Sequence, residues 1–193
     1  MTGDRLSEKE LFQVALKFES HPDNLAAALY GGLISAATTA EGEVYIAQLK
    51  VAHGVTPLVV IPEFELLTET ARKVLPKNYS RADTVYNIQR AALTIAALTT
   101  GKWSLLRESM RDRIHQPYRN HLIPGLDRIL DLEMSGLAGV ALSGAGPTIF
   151  AIVESGRDLE IGNEIVRIFN ERGVRASSHS LEFDSKGRVI TES

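Results

Sequence analysis

The last third of the chain constrains its fold most. Leu137 to Leu142 and Thr148 to Val153 read as strands, joined by Ser143-Gly144-Ala145-Gly146-Pro147. Arg157 to Arg172 reads as a helix stopped by Gly173, and Val174 to Phe183 as a last strand. Strand, tight glycine loop, strand, helix, strand is half of a split βαβ sandwich. The fold class expected is therefore α+β.

The rest of the chain supplies helices and two more strand regions. Ser7 with Glu10 is a capping-box pattern, and Leu11, Val14, Ala15 and Phe18 then repeat at helical spacing to about Glu19. His21-Pro22-Asp23-Asn24 breaks that pattern, and a short helix is expected from Asn24 to Tyr30, ending at Gly31-Gly32. Leu33 to Thr39 and Val44 to Lys50 read as two strands around Ala40-Glu41-Gly42. The run Pro57 to Pro62 is apolar throughout and fits a strand buried on both faces. Thr68 is placed to cap a helix ending before Pro76. Ser80, with Asp83 in the first turn, caps a longer helix to Gly101, its apolar face made by Val85, Ile88, Ala92, Ile95 and Ala96. Trp103 to about His115 reads as one helix, Gln116 to Pro124 as an irregular connector, and Pro124 to about Met134 as a further helix.

Composition removes whole classes of function. With 193 residues and 44% apolar content the chain can bury a core without staples. It has no cysteine, which excludes disulfides, thiolate zinc sites and cysteine nucleophiles. A net charge of −3 lacks the basic excess of a general nucleic-acid binder. No apolar run approaches the roughly 18 residues that span a bilayer, and the charged start lacks a signal-peptide core. A soluble cytoplasmic protein is expected.

Four features carry potential chemistry. His21-Pro22-Asp23-Asn24 opens a helix, where free N–H groups and the dipole suit anions; the plainer alternative is that Asp23 or Asn24 only caps it. Ser143-Gly144-Ala145-Gly146-Pro147 offers close backbone approach and an anion nest, or simply a tight turn needing positive φ. Arg119, flanked by His115 and His121, is a residue type suited to bidentate carboxylate or phosphate recognition, or else a surface arginine. Thr68 and Arg72, four apart on a helix, share a face and together suit a small anionic group, or are a cap and an exposed arginine. There is no zincin histidine pair, no G-x-S-x-G elbow and no Walker loop. Residue patterns alone thus reach two potential anion-binding loops and no reaction.

In order along the chain, His21-Pro22-Asp23-Asn24-Leu25-Ala26, Leu29-Tyr30-Gly31-Gly32-Leu33, Thr68-Glu69-Thr70-Ala71-Arg72 and Ser80-Arg81-Ala82-Asp83 are followed by further matching segments. These are Asp112-Arg113-Ile114-His115-Gln116-Pro117-Tyr118-Arg119, Leu122-Ile123-Pro124-Gly125 and Gly139 through Thr148. Jointly, from about Leu6 to Phe183, they resemble the homoserine kinases of the GHMP small-molecule kinase superfamily. The resemblance implies a remnant of the N-terminal domain over 1–56 and a ferredoxin-like C-terminal domain over 57–193. It implies phosphoryl transfer from ATP, with Mg2+, to the hydroxyl of L-homoserine in threonine biosynthesis. By the same analogy His21, Asp23 and Asn24 line the amino-acid pocket, with Asp23 facing the ammonium and Asn24 nearest the reacting hydroxyl. Thr68, Arg72 and Arg119 hold the carboxylate, and Ser143, Gly144, Ala145 and Gly146 lie against the phosphates. An amide such as Asn24 cannot take the hydroxyl proton, so alignment rather than general-base catalysis is implied.

The sequence departs from that family in two respects. The Pro-x-x-x-Gly-Leu-Gly-Ser-Ser-Ala phosphate loop of family members is absent, and the acidic metal-ligand position falls near Gln13, between Glu10 and Glu19, so no metal ligand is assigned. Two alternatives stay open: a non-catalytic amino-acid-binding or partner-pairing fragment, and a sister kinase of the mevalonate or diphosphocytidyl-methylerythritol type. Partners expected are L-homoserine and ATP, with a homo-oligomer or a separately encoded N-terminal half. The chain alone is expected to release no appreciable ADP with homoserine in a coupled assay; normal turnover contradicts this. Unpaired edges before Pro62 are expected to drive self-association, which light scattering checks.

Overall fold

The protein was analysed as a computed structural model, which describes residues 6–19 and 21–191. Two compact units divide it: Met1–Val51 with Phe183–Ser193, and Ala52–Glu182. The final segment thus belongs with the first unit, whereas the sequence reading ran the second part to the C-terminus.

The first unit holds α1 (Glu8–Ala15), α2 (Pro22–Tyr30), β1 (Leu33–Thr38) and β2 (Val44–Leu49). The capping box of α1 is formed: Ser7 N–H donates to Glu10 Oε2 at 2.8 Å and Glu10 N–H to Ser7 Oγ at 3.3 Å. Helix α1 stops at Ala15, short of the expected Glu19, and Leu16 to Phe18 form turns. Its buried Phe12 lies against Tyr30, ring centroids 6.1 Å apart. Helix α2 starts at Pro22, two residues earlier than expected. Proline's fixed φ fits the first helical position and its missing N–H costs nothing there. His21 is therefore the N-cap residue, without a side-chain cap bond, and Asp23 and Asn24 sit inside the first turn rather than capping it. Strands β1 and β2 pair antiparallel from Leu33–Leu49 to Thr38–Val44.

The C-terminal segment straps the end of α2. Gly32 N–H donates to Asp184 O at 2.6 Å and Arg188 N–H to Leu29 O at 3.1 Å. Gly31 and Gly187 meet back to back: a Cβ on Gly187, whose φ is +65°, would lie 2.4 Å from Leu29 O.

The second unit contains β3 (Val55–Pro62), α3 (Thr68–Lys73), α4 (Arg81–Thr100), α5 (Leu106–Ser109), α6 (Gln116–Arg119), α7 (Leu126–Leu130), β4 (Leu137–Leu142), β5 (Ile149–Glu154), α8 (Asp158–Glu171) and β6 (Ala176–Ser180). Its four strands pair antiparallel in the order β4-β5-β3-β6. With α4 and α8 as the two crossings, this is the split βαβ, ferredoxin-like arrangement. One core holds Ile161, Ile165, Ile168 and Phe169 of α8 against Leu58, Val60, Ile149, Ala151 and Val153 of the sheet. Gly162 lets α8 approach β6, since a Cβ there would sit 2.9 Å from Ser178 Cβ.

Several expectations change in detail. Strand β3 is central but not buried on both faces: Leu58, Val60 and Pro62 are covered while Ile61 is 45% exposed. An antiparallel sheet needs only one covered face. Ser80 caps α4 as expected, receiving the Asp83 N–H at 3.0 Å, and Gly101 ends it in the left-handed region. The expected apolar face is outward, with Val85 and Ile88 exposed. The half-buried face instead carries Tyr86, Asn87 and Arg90. Leu67, not Thr68, is the N-cap of α3. The helix expected to reach His115 is a 3-10 turn, Trp103–Leu105, and then α5, ending at Ser109. The connector after it is itself helical in α6, and the helix expected from Pro124 is only Leu126–Leu130, begun at Gly125. Strand β6 ends at Ser180 rather than Phe183. Among the described residues no helix is long and apolar enough to cross a membrane.

Two substitutions test these assignments. Gly187→Ala is expected to destabilise the fold by about 2 kcal/mol or more, through backbone overlap and positive φ. Ser80→Ala is expected to cost about 1 kcal/mol. Denaturant unfolding measures both.

Candidate functional site

The second unit brings three of the sequence-predicted groups into contact through one side chain. Arg119, the last residue of α6, is 6% exposed. Its Nε–H donates to Ala71 O on α3 at 3.1 Å, and its Nη1–H to Gly144 O in the glycine loop at 3.1 Å. Helix α3 carries Thr68 and Arg72, both exposed. A single planar fork therefore fixes α3 against the loop.

Charge at this junction favours an anion. Burial pushes the Arg119 pKa down; Asp112 and Tyr79 act in the opposite sense, while the neighbouring Arg72 cation lowers it further. Two guanidinium groups that repel one another gain from an anion placed near both.

The loop itself closes the β4–β5 hairpin. Ser143 N–H donates to Thr148 O at 2.9 Å and Gly146 N–H to Ser143 O at 3.0 Å. Gly144 has φ +57° with open space where a Cβ would lie, and Gly146 has φ +82° with Ile123 Cδ1 2.9 Å from that position. So the tight turn is real, and only Gly144 faces unfilled space. Among the described residues the Gly144 and Ala145 N–H groups donate to no protein acceptor. Adjacent unpaired N–H groups beside open space suit phosphate oxygens.

Behind Arg119 lies a cluster that reading for chemistry passed over. The Asp112 carboxylate accepts from Asn87 Nδ2 at 2.5 Å, Ile114 N–H at 3.0 Å, His115 N–H at 2.6 Å and closely from Gln116 N–H. Burial alone would raise its pKa. The bonds from His115, Asn87, Gln116 and Ile114 outweigh that and hold it far below the usual carboxylate range. Buried Gln116 accepts the Leu142 N–H through Oε1 at 2.9 Å, one residue before the glycine loop. An Asp four residues ahead of a Gln-Pro helix start is a capping arrangement, and that spacing is the signal available in the sequence. A cavity of about 360 Å3 opens beside this cluster, bordered by Tyr86, Arg107, Arg113, Asp112, Gln116 and Val140. It contains none of the predicted site residues.

His21, Asp23 and Asn24 belong to the first unit. His21 N–H donates to Glu19 Oε1 at 2.9 Å, and its ring Nδ1 contacts the same oxygen closely. Asp23 and Asn24 are exposed in the first turn of α2. His115 and His121 are exposed in the second unit, His115 Nδ1 lying 3.5 Å from Asp112 Oδ1. No group of three His, Asp or Glu side chains that could hold a metal ion gathers among the described residues. The open loop N–H groups are donors of the kind that suit an anion.

Residues 94–174 match the family model described as GHMP kinases C terminal. Over that stretch the chain is similar to the C-terminal domain of GHMP kinases. Over nearly its whole length it is similar to curated homoserine kinases. One, from Clostridium beijerinckii, is 41% identical over 192 residues, covering 98% of this chain and 63% of the relative. Another, from Desulfitobacterium hafniense, is 41% identical over 189 residues, covering 97% and 63%. A crystal structure of homoserine kinase from Cytophaga hutchinsonii superposes with a TM-score of 0.86 at 28% identity, covering 96% of this chain and 61% of that one. The chain thus spans less than two thirds of the relatives it matches.

The Asp112 cluster has a pH signature. A carboxyl whose pKa is lowered on folding stabilises the protein above its unfolded value, 3.8, and loses that contribution as pH falls through the folded one. Asp112→Asn is expected to be less stable than the parent at neutral pH, with the gap shrinking progressively below about pH 4. Chemical denaturation across pH 2 to 7 (roughly the carboxylate range) checks it.

Proposed function

We propose that this domain is the substrate-carboxylate and phosphate-facing part of a homoserine kinase, which transfers the γ-phosphoryl group of ATP to the hydroxyl of L-homoserine in threonine biosynthesis, in the cytoplasm. The observation that carries the reading is the Arg119 clamp. It joins the helix bearing Thr68 and Arg72 to a loop with two unpaired N–H groups. An amino acid whose carboxylate lies at one end and whose hydroxyl meets the reacting phosphate of ATP at the other matches that pairing. Phosphoryl transfer needs mainly such positioning and charge neutralisation.

Roles follow for the individual residues. Arg72 and the Arg119 charge attract the substrate carboxylate, with Thr68 Oγ1 as a further donor. Because Arg119 Nε and Nη1 already serve carbonyls, Arg119 contributes to carboxylate binding through its remaining N–H groups and its charge. Gly144 and Ala145 N–H groups meet phosphate oxygens. In the first unit, Asp23 suits a substrate ammonium and Asn24 a hydroxyl, with His21 at the same helix start. The similarity to homoserine kinases at 41% identity favours homoserine over mevalonate, and the acid at Asp23 suits an ammonium that mevalonate lacks.

The test is calorimetric titration of the chain with L-homoserine, with and without ATP, alongside ADP release. Arg72→Ala is expected to weaken homoserine binding about tenfold, as loss of a charge-assisted hydrogen bond does. A parent chain that binds neither homoserine nor ATP overturns the reading. Homoserine binding with no response to ATP reduces it to amino-acid recognition.

A further inference from the structure

Asn87, Asp112 and Gln116 meet at the base of the Arg119 clamp and have no assigned task. We propose that Asp112, acting through Gln116 and Arg119, is a positioning residue that locks α3 and the glycine loop into a single binding geometry. This rests on the reading of those two elements as the carboxylate and phosphate ends of one substrate site.

The argument starts from the length of α6. Four residues are far too few for a helix to sustain itself, since nucleation costs more than one turn returns. Its N-terminal N–H groups need an outside acceptor. Asp112 accepts the first of them, the Gln116 N–H, together with the N–H groups of Ile114 and His115 that lead into the helix, on two oxygens, with Asn87 Nδ2 as a fourth donor. Asn87 in turn accepts the Arg113 N–H at 3.0 Å, which ties the segment to α4.

The two ends of α6 then reach three elements. Gln116 at its start holds the Leu142 N–H on the outer edge of β4. Arg119 at its end holds Gly144 O and Ala71 O. A rotation of this turn displaces the strand entering the loop, the loop itself and α3 together. Asp112 touches none of the proposed ligand contacts, yet it sets the orientation of the segment that makes them.

The decisive readout is the Arg119 Nε–H signal in nitrogen-15 NMR of the full chain, followed by hydrogen exchange. In the parent this proton is expected to be protected by Ala71 O. Asp112→Asn places an amide N–H against backbone N–H donors, and Gln116→Met removes the acceptor for Leu142. Each is expected to speed Arg119 Nε–H exchange about tenfold while β4–β5 amides stay protected. Gln116→Glu keeps an oxygen facing Leu142 N–H and is expected to return exchange to within about twofold. L-homoserine titrations on the same samples are expected to show about tenfold weaker binding for Gln116→Met and near-parent binding for Gln116→Glu.

Unchanged Arg119 exchange in both Asp112→Asn and Gln116→Met overturns the proposal. So does equal loss of homoserine affinity in the Met and Glu variants. Should Asp112→Asn also lose β4–β5 protection, Gln116→Met decides. A parent chain silent to homoserine fails the substrate reading instead, and the exchange arm still decides the positioning role.

Discussion

A buried guanidinium has to spend its donors on fixed acceptors, because leaving them unmatched away from water is costly. Arg119 spends two of them on backbone carbonyls from segments far apart in sequence, Ala71 O and Gly144 O. Neither carbonyl belongs to a completed ladder. Ala71 lies in a helix of six residues, and Gly144 in a turn whose conformation requires glycine. Short elements of this kind have little stability of their own. The fork supplies what the local backbone lacks, and the arrangement of α3 against the loop depends on it.

That fork is in turn set by a carboxylate. Asp112 gathers four donors, so its negative charge is compensated by oriented dipoles rather than by a single cation. Such a site keeps its charge into strong acid, and it keeps its geometry because each oxygen is held by two partners. Electrostatics here work as a scaffold: Asp112 orders α6, α6 orders Arg119, and Arg119 orders two ligand-facing segments. The neighbouring Arg72 places a second guanidinium within electrostatic reach of Arg119.

The sequence shows those parts whose structure is local. The Ser7–Glu10 box, the Ser80 cap with Asp83, the Gly101 stop and the β4–loop–β5 hairpin each follow from residues within a few positions of one another. What it hides is non-local. The apolar residues Val85 and Ile88 of α4 point outward because the N-terminal half of its inner face carries Asn87 and Arg90, which answer Asp112 and Glu108 across a long sequence gap, while Ala97 and Leu98 are buried further along. Periodicity measures an apolar stripe; it cannot say which side of a helix a distant carboxylate will occupy. The same blindness concealed Asp112 and Gln116, which look like a solvated acid and a connector amide until the chain closes around them. Arg119 was visible as a residue type suited to anions, but its two carbonyl partners were not.

This separation of local from non-local has a bearing on the choice between substrate classes. Thr68, Arg72 and Arg119 define a cationic group, and any carboxylate answers it equally well. On the proposed reading, discrimination comes from the distance between the carboxylate and the phosphate ends. That distance is a property of how α3 sits on the loop. In this fold it is governed by one arginine and, behind it, one aspartate. Specificity in such a domain therefore depends on residues that need never touch the substrate. Substituting a contact residue changes affinity for all carboxylates alike, whereas loosening the Asp112 cluster erodes the selection among them.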